Sequence, residues 1–583
     1  MRPPHTPLYT AWGEQLDPDR PLPEHPRPQL QRDSFVNLNG RWDYAFRIDD
    51  CAPPDWDGTI VVPFSPEAPL SGVGRQLQPG EFLHYRRRLH WPGTATGNRL
   101  LLHFGAIDQR CTVNVNGTPA GYHEGGYLPF TIDVTDVVTP GDNDLHVVVS
   151  DPSDTGVGAR GKQQLRPGGI WYTAQSGIWQ TVWLEEVPEV HIGDLILEPD
   201  LNGFTVLVRT DSPPQPFTLR VLTGGATVLT KPGSTGSPLR VDLPDPRRWS
   251  PEDPHLYDLL VTTGRDVVRS YVGLRTFGIG PDRDGHPRLL LNGRPYFHAG
   301  VLDQGYWPDG LYTAPSDEAL VYDIQTMKDL GFTMLRKHIK IEPLRWYHHC
   351  DRLGMLVWQD MVNGGGPYRR AVIQLPAVSP LRLADRRHRL FGRADPAGRD
   401  RWLTEARETV ELLRNCPSVA VWVPFNEGWG QFDASTVAEH VRELDPSRPV
   451  DHASGWHDQG GGDFRSLHVY FRAFRVPRRP DGRVLALTEY GGYSWRDPGH
   501  SATENEFGYR RYGSSAALTG AFVRLHEQQI LPAVPRGLSA TVYTQLSDVE
   551  DETNGLLTYD RRVVKMSAGQ VRAVIGRLRI PAG

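Results

Sequence analysis

Residues 297–336 read FHAGVLDQGYWPDGLYTAPSDEALVYDIQTMKDLGFTMLR. An apolar run at 297–302 is followed by a segment at 317–330 with helical spacing of its apolar residues. A second apolar run follows at 332–336. Ser316 is placed as an N-cap, with an oxygen that can accept from the first turn, and Gly331 stands just past the end. Short apolar runs without polar alternation suit strands buried on both faces, and the helix between them suits a parallel crossover.

The same grammar continues outward. Helices are predicted at 343–353, 404–413 and 437–444. Strands are predicted at 355–359, 419–425, 449–452, 467–470, 484–488 and 540–543. Eight strands with interleaved helices over roughly 300 residues predict a (β/α)₈ TIM barrel at 277–583. The Pro-, Gly- and Arg-rich stretch 363–400 follows the third strand and would emerge on the C-terminal face, where barrel active sites lie. Before 277 the period changes to two. In 111–117, Val113 and Val115 alternate with polar residues, and Asn116-Gly117 is a hairpin-turn signal. Residues 31–188 are read as a jelly-roll, sugar-binding-like β-sandwich. Residues 189–276, with strands at 204–208, 217–221 and 256–261, are read as an immunoglobulin-like β-sandwich. Residues 1–30 are polar and Pro-rich and are read as an extended arm.

Composition narrows the function classes. A net charge of −6 argues against nucleic acid as partner. No stretch approaches the roughly 18 apolar residues of a membrane span, so no membrane association is expected. The first 33 residues lack an apolar core like that of a secretory signal, so a cytoplasmic location is expected. Cys51, Cys111, Cys350 and Cys416 are scattered and suit neither a disulfide scaffold nor a structural zinc site. No cofactor and no metal are expected, and a homo-oligomer is left open. Sixteen tryptophans supply flat faces for packing or for stacking on sugars.

Polar residues just past barrel strands face the site. Glu427 follows the fourth predicted strand in Asn426-Glu427-Gly428-Trp429, and Glu489 follows the seventh in Thr488-Glu489-Tyr490-Gly491-Gly492. Two carboxylates across one cavity are what glycoside hydrolysis requires, one to protonate the leaving oxygen and one to attack or to activate water.

These motifs resemble glycoside hydrolase family 2, the group of β-galactosidases, β-glucuronidases and β-mannosidases. The resemblance spans about residues 28 to 565. It includes Leu38-Asn39-Gly40-Arg41-Trp42, His123 to Phe130, Ser176-Gly177-Ile178-Trp179-Gln180 and the closing run from Tyr543 to Leu557. It implies a retaining β-glycosidase acting on a carbohydrate substrate, exo-acting and β-galactosidase-like, with a β-glucuronidase-like enzyme as the alternative. It implies Glu427 as general acid/base, Glu489 as nucleophile, Asn426 as partner of the sugar 2-hydroxyl, and Tyr470 as the residue holding the nucleophile. Arg336 would support the nucleophile electrostatically. His338 and His468 are further substrate-side candidates, Asp303 and Asp360 candidates for sugar hydroxyls, and Trp429 a stacking face. The Gly-rich basic loop opening at Thr155 resembles a family segment that leans over the barrel mouth. Two departures stand out. Arg336-Lys337-His338 replaces the Ser-His pair that many relatives place after the arginine. Asn554-Gly555-Leu556 lacks the lysine with which β-glucuronidases of the family grip a uronate. Six arginines between 369 and 389 are a second potential source of charge for an acidic sugar. Retaining geometry predicts carboxyl groups about 5–5.5 Å apart. A glycan-binding protein with a silent barrel and a metal-dependent barrel hydrolase are the readings from other classes.

Overall fold

The computed structural model describes residues 8–379, 381–479 and 481–580. The first sandwich pairs a four-stranded antiparallel sheet (Phe35–Asn37, Val182–Pro188, Asn98–Phe104, Phe130–Asp133) with a six-stranded one (Gly58–Val62, Gly40–Arg47, Phe82–Trp91, Gly141–Ser150, Arg110–Val115, Thr118–Glu124). The two-residue period decides which side chains fill it. Along Arg110–Val115, Cys111, Val113 and Val115 are buried and the residues between them are not. Each such valine contributes about 1.5–3 kcal/mol by leaving water. Asn116 and Gly117 both have positive φ, 53° and 77°, as a tight hairpin between right-twisted strands requires. A second sandwich follows, with three-stranded and four-stranded antiparallel sheets between Asp194 and Val272 around its own core of Phe204, Phe217, Leu219 and Val261.

The barrel holds seven parallel strands: β1 (His298–Asp303), β2 (Met334–Lys337), β3 (Leu356–Asp360), β4 (Val419–Val423), β5 (Phe464–Val469), β6 (Val484–Gly491) and β7 (Leu538–Thr544). Their order is β4-β3-β2-β1-β7-β6-β5. Helices α1 (Asp317–Asp329), α2 (Leu344–Leu353), α3 (Pro396–Leu413), α4 (Ala434–Leu444), α5 (Ser515–Leu525) and α6 (Ala568–Ile575) pack outside. Ser316 caps α1 by accepting from Ala319 N, and Gly331 has φ 94°. All strands but β5 are buried along their whole length, the mark of a sheet covered on both faces. A small antiparallel sheet (Phe277–Pro281, Pro287–Leu291, Arg294–Pro295) closes the N-terminal end, where the Arg288 guanidinium donates to Leu538 O and Val534 O.

Two expectations need correction. The predicted strand at 449–452 is not a ladder strand. It touches β4 through one bridge, Trp422 with Val450, and a second bridge, Asn426 with Ser454, joins the residues that follow both. Toward β5 one backbone bond, from Asp463 N to Val450 O at 2.9 Å, is joined by side-chain contact, with Ser466 Oγ donating to Asp451 Oδ2 at 2.8 Å. Pro449 has no N–H for a ladder, so the backbone pairing is short, with Trp422 N donating to Pro449 O and Asp451 N to Trp422 O, and the side chains of Asp451 and His452 bond onward. The stretch 363–400 is likewise more than a loop. Arg370–Ile373 is a helical turn, and α3 begins at Pro396, eight residues before the predicted start. The Pro at the first helical position and Asp395 as N-cap are the start signals there.

The arm at 8–30 runs over all three units. Thr10 N and Oγ1 donate to Asp309 Oδ2 at 2.9 and 2.7 Å, and Arg27 reaches Glu185 of the first sandwich at 2.6 Å. No described helix is long and apolar enough to cross a membrane.

Candidate active site

The C-terminal ends of the barrel strands gather a buried polar cluster. Glu427 sits just past β4 with φ 49°, in the left-handed region that costs a residue with a side chain about 1–3 kcal/mol. Its N–H donates to Ser454 O at 2.9 Å, and Gly428 and Gly430 beside it also have positive φ, so the turn is held in place. Glu489 stands within β6. Glu427 is 8% exposed and Glu489 4%, and their carboxylate oxygens come within 4.8 Å of one another.

Arg336, fully buried at the end of β2, organises one side. It pairs with Asp360 through Nε and Nη2 at 2.9 and 3.0 Å, reaches Glu489 Oε1 with Nη1 at 3.2 Å, and donates to Asn426 Oδ1 with Nη2 at 2.8 Å. A planar guanidinium can serve all three partners at once. With its oxygen so engaged, Asn426 keeps a buried Nδ2 that has no partner among the described residues. Tyr470 donates its hydroxyl to Glu489 Oε2, and its ring stacks on Tyr509 with centroids 3.6 Å apart. His468 lies between the two acids, with Nδ1 2.7 Å from Glu427 Oε1 and 3.6 Å from Glu489 Oε2, while Nε2 meets Ser454 Oγ at 3.0 Å.

Burial pushes the Glu427 carboxyl up to about 8. Lys162 and Arg336 oppose that rise, and Glu552 adds to it. Burial also raises Glu489; Glu427 contributes to the rise, and His468, Arg336 and Tyr470 oppose it. The hydrogen bonds from Tyr470 and Arg336 both favour the carboxylate form of Glu489. Burial lowers His468 to about 4, so its ring is neutral between them. Glu427, His468 and Glu489 also have the donor types of a cation site. The His468–Glu427 hydrogen bond and the Arg336 charge beside Glu489 account for their closeness without one.

The other sequence candidates divide. His338 Nδ1 bonds Asp360 Oδ2 at 2.9 Å, and its ring meets the edge of Trp429 at 5.9 Å. Trp429 is buried, its Nε1 has no partner among the described residues, and it packs on Trp171 of the first sandwich at 5.0 Å. Asp360 and Asp303, expected to meet sugar hydroxyls, are both engaged by protein groups. Both oxygens of Asp360 are taken by Arg336 and His338. Asp303 bonds Lys337 Nζ at 2.7 Å and Gly305 N at 2.9 Å, in a separate network with Glu342 and Lys340. A cation one residue after Arg336 claims the acid that the sequence offered to the sugar. The insertion arginines Arg369, Arg370, Arg382, Arg386, Arg387 and Arg389 are exposed. Arg393 alone among the described arginines of that stretch is buried, donating to Gly430 O at 2.9 Å.

Four residues outside the candidates named from sequence line the same site: Lys162, in the loop that opens at Thr155, Trp171 and Tyr172 from the first sandwich, and Glu552 from the segment after β7. Tyr172 donates to Glu552 Oε2, and Lys162 Nζ lies 3.7 Å from the same oxygen. Arg160 N donates to Asn363 O at 2.9 Å, pinning the loop to the barrel insertion. The loop's Gly-rich basic composition was the available signal, but nothing local marks Lys162 as the inward residue.

Three family descriptions match the chain in order: "Glycosyl hydrolase 2 galactose-binding domain-like" at residues 78–177, "Glycosyl hydrolases family 2" at 191–275, and "Glycosyl hydrolases family 2, TIM barrel domain" at 286–477. A β-galactosidase of Vibrio vulnificus (strain YJ016) is 26% identical over 514 residues, covering 77% of this chain and 46% of that protein. The chain thus spans less than half the length of the curated β-galactosidases it first matches. Among solved structures, a Ruminococcus gnavus β-glucuronidase superposes with TM-score 0.73 at 18% identity, covering 94% of this chain and 98% of that one. A β-galacturonidase of Eisenbergiella tayi does so with TM-score 0.69 at 20% identity, covering 94% and 98%. At these identities the superpositions speak for the fold.

Proposed function

The chain belongs to glycosyl hydrolases family 2, and from that premise we propose that it is a retaining, exo-acting β-glycosidase of the β-galactosidase-like kind. The observation that carries the reading is that one oxygen of Glu427 and one of Glu489 lie within 4.8 Å of each other. Retaining enzymes keep their carboxyls about 5–5.5 Å apart, whereas inverting enzymes leave about 6.5–9.5 Å for a water.

In the first step a Glu489 oxygen bonds to the anomeric carbon as the bond to the leaving oxygen breaks. Glu427 gives its proton to that oxygen. Arg336 and Tyr470 hold Glu489 in line, and the free Asn426 Nδ2 is available to the 2-hydroxyl, a contact that tightens in the transition state. In the second step the Glu427 carboxylate takes a proton from water. The water oxygen bonds to the anomeric carbon, and Glu489 departs as a carboxylate. His468 has both ring nitrogens engaged by protein and acts by positioning Glu427. A galactosidase-like preference is supported by the curated relatives' names, by the missing lysine in Asn554-Gly555-Leu556, and by the outward arginines of the insertion.

Proton NMR of the first turnovers of an aryl β-glycoside tests the mechanism. The β-anomer of the sugar should appear first and mutarotate later. A 2-deoxy-2-fluoro aryl glycoside should leave its sugar on the peptide containing Glu489. Initial release of the α-anomer would refute retention.

A further inference from the structure

Lys162 belongs to the first sandwich, yet its ammonium lies in the barrel's acid pocket. The side chain is 6% exposed. Nζ is 3.7 Å from Glu552 Oε2, 3.4 Å from the Tyr172 hydroxyl and 5.8 Å from the Trp429 ring centre. Its charge acts on Glu427 and on His338. An ammonium has three N–H donors, and one long hydrogen bond with one loose ion pair leaves them short of acceptors. Glu552, 2% exposed, receives Tyr172 on one oxygen and Asn554 Nδ2 at 3.2 Å on the other, so each oxygen has a further lone pair to offer. A buried charge pair held beyond hydrogen-bonding distance costs desolvation that its own attraction does not repay. A sugar hydroxyl removes the deficit, because one O–H group accepts from the ammonium and donates to the carboxylate together.

Charge decides which sugar. Lys162 is matched by Glu552, and the same segment carries Glu550 and Asp551 beside it. Arg336 is committed to Asp360, Glu489 and Asn426. A second carboxylate brought in on the sugar would face Glu552 and Glu489, and Lys162 would then have to serve two carboxylates at once.

We propose that Lys162 and Glu552 form one hydroxyl clamp, half from the sandwich and half from the barrel, that grips an uncharged hexoside on the ring edge away from the anomeric carbon and rejects uronides. This rests on the glycosidase reading above and names its substrate class.

The test measures kcat and KM on aryl β-galactoside, β-glucoside, β-mannoside, β-glucuronide and β-galacturonide, for wild type, Lys162→Met and Glu552→Gln. The best neutral glycoside should exceed both uronides by at least about 100-fold in kcat/KM. Lys162→Met should lose at least about 10-fold on that glycoside, and less on its analogue lacking the gripped hydroxyl, as expected for coupled partners. If Lys162→Met also lowers the melting midpoint, Glu552→Gln carries the test, since it keeps size and one acceptor and should narrow the gap between neutral and uronide substrates. Unchanged kinetics in both variants would overturn the clamp. So would a wild type that prefers a uronide and loses that preference in Lys162→Met, and either result leaves the glycosidase reading standing. A wild type that cleaves none of the five removes both.

Discussion

At the scale of single residues, the two glutamates differ by their neighbours rather than by chemistry. Both are dry, but Glu489 has a guanidinium and a phenol donating to it, whereas Glu427 has a neutral imidazole beside it. The first set favours an anion and the second a proton. With Glu427 raised to about 8, the acid form persists through neutral pH and is lost as pH rises past that value. The kcat/KM profile should therefore have an alkaline limb near pH 8. In kcat/KM, Glu427→Gln should lose the limb and slow poor leaving groups by about 10²–10⁴-fold, the usual weight of general acid catalysis, while sparing activated aryl glycosides, whose kcat should still fall because the second step loses its base. An alkaline limb that survives in Glu427→Gln would assign it to another group.

At the scale of elements, the site depends on helices that never touch it. Trp402 of α3 stacks on Phe425 with centroids 4.8 Å apart, directly before Asn426, and its Nε1 donates to Val362 O at 2.9 Å. The start of α3 is held by Asp395, whose carboxylate accepts from Ala397 N and Gly398 N, both at 3.1 Å. Losing such a cap costs about 1 kcal/mol. Asp395→Ala should lower the midpoint of thermal unfolding accordingly, and an unshifted midpoint would mean that the insertion holds the helix end without it.

At the scale of the molecule, the three units are joined by buried charge as well as by apolar contact. Arg32 pairs with Asp266 of the second sandwich at 2.9 Å and with Glu185 of the first at 3.1 Å. Burial works to raise the Glu185 carboxyl, but Arg27, His103 and His25 together hold it far below the usual range. A carboxyl depressed on folding stabilises the protein above its unfolded value of about 4.3 and loses that contribution as pH falls. Arg32→Met leaves two buried carboxylates short of a partner, which should cost about 3–5 kcal/mol at neutral pH. Calorimetry should show the sandwiches melting earlier, with a smaller difference from wild type in acid, where Glu185 protonates. A constant difference across pH would assign the loss to packing of the arginine stem.

The periodicity of apolar residues determined the two sandwiches and the barrel, because burial on one face or on both leaves a period of two or none at all in the chain itself. The positions of Asn426, Glu427 and Glu489 just past apolar runs were legible for the same reason: a strand's end is marked in sequence and a barrel aims every end at one place. Tertiary structure alone decided the rest. Whether Asp303 bonds Lys337, and which residue of the loop opening at Thr155 turns into the barrel mouth, depends on which charges are left unmatched after folding. That is a property of pairs far apart in the chain, and no local pattern records it.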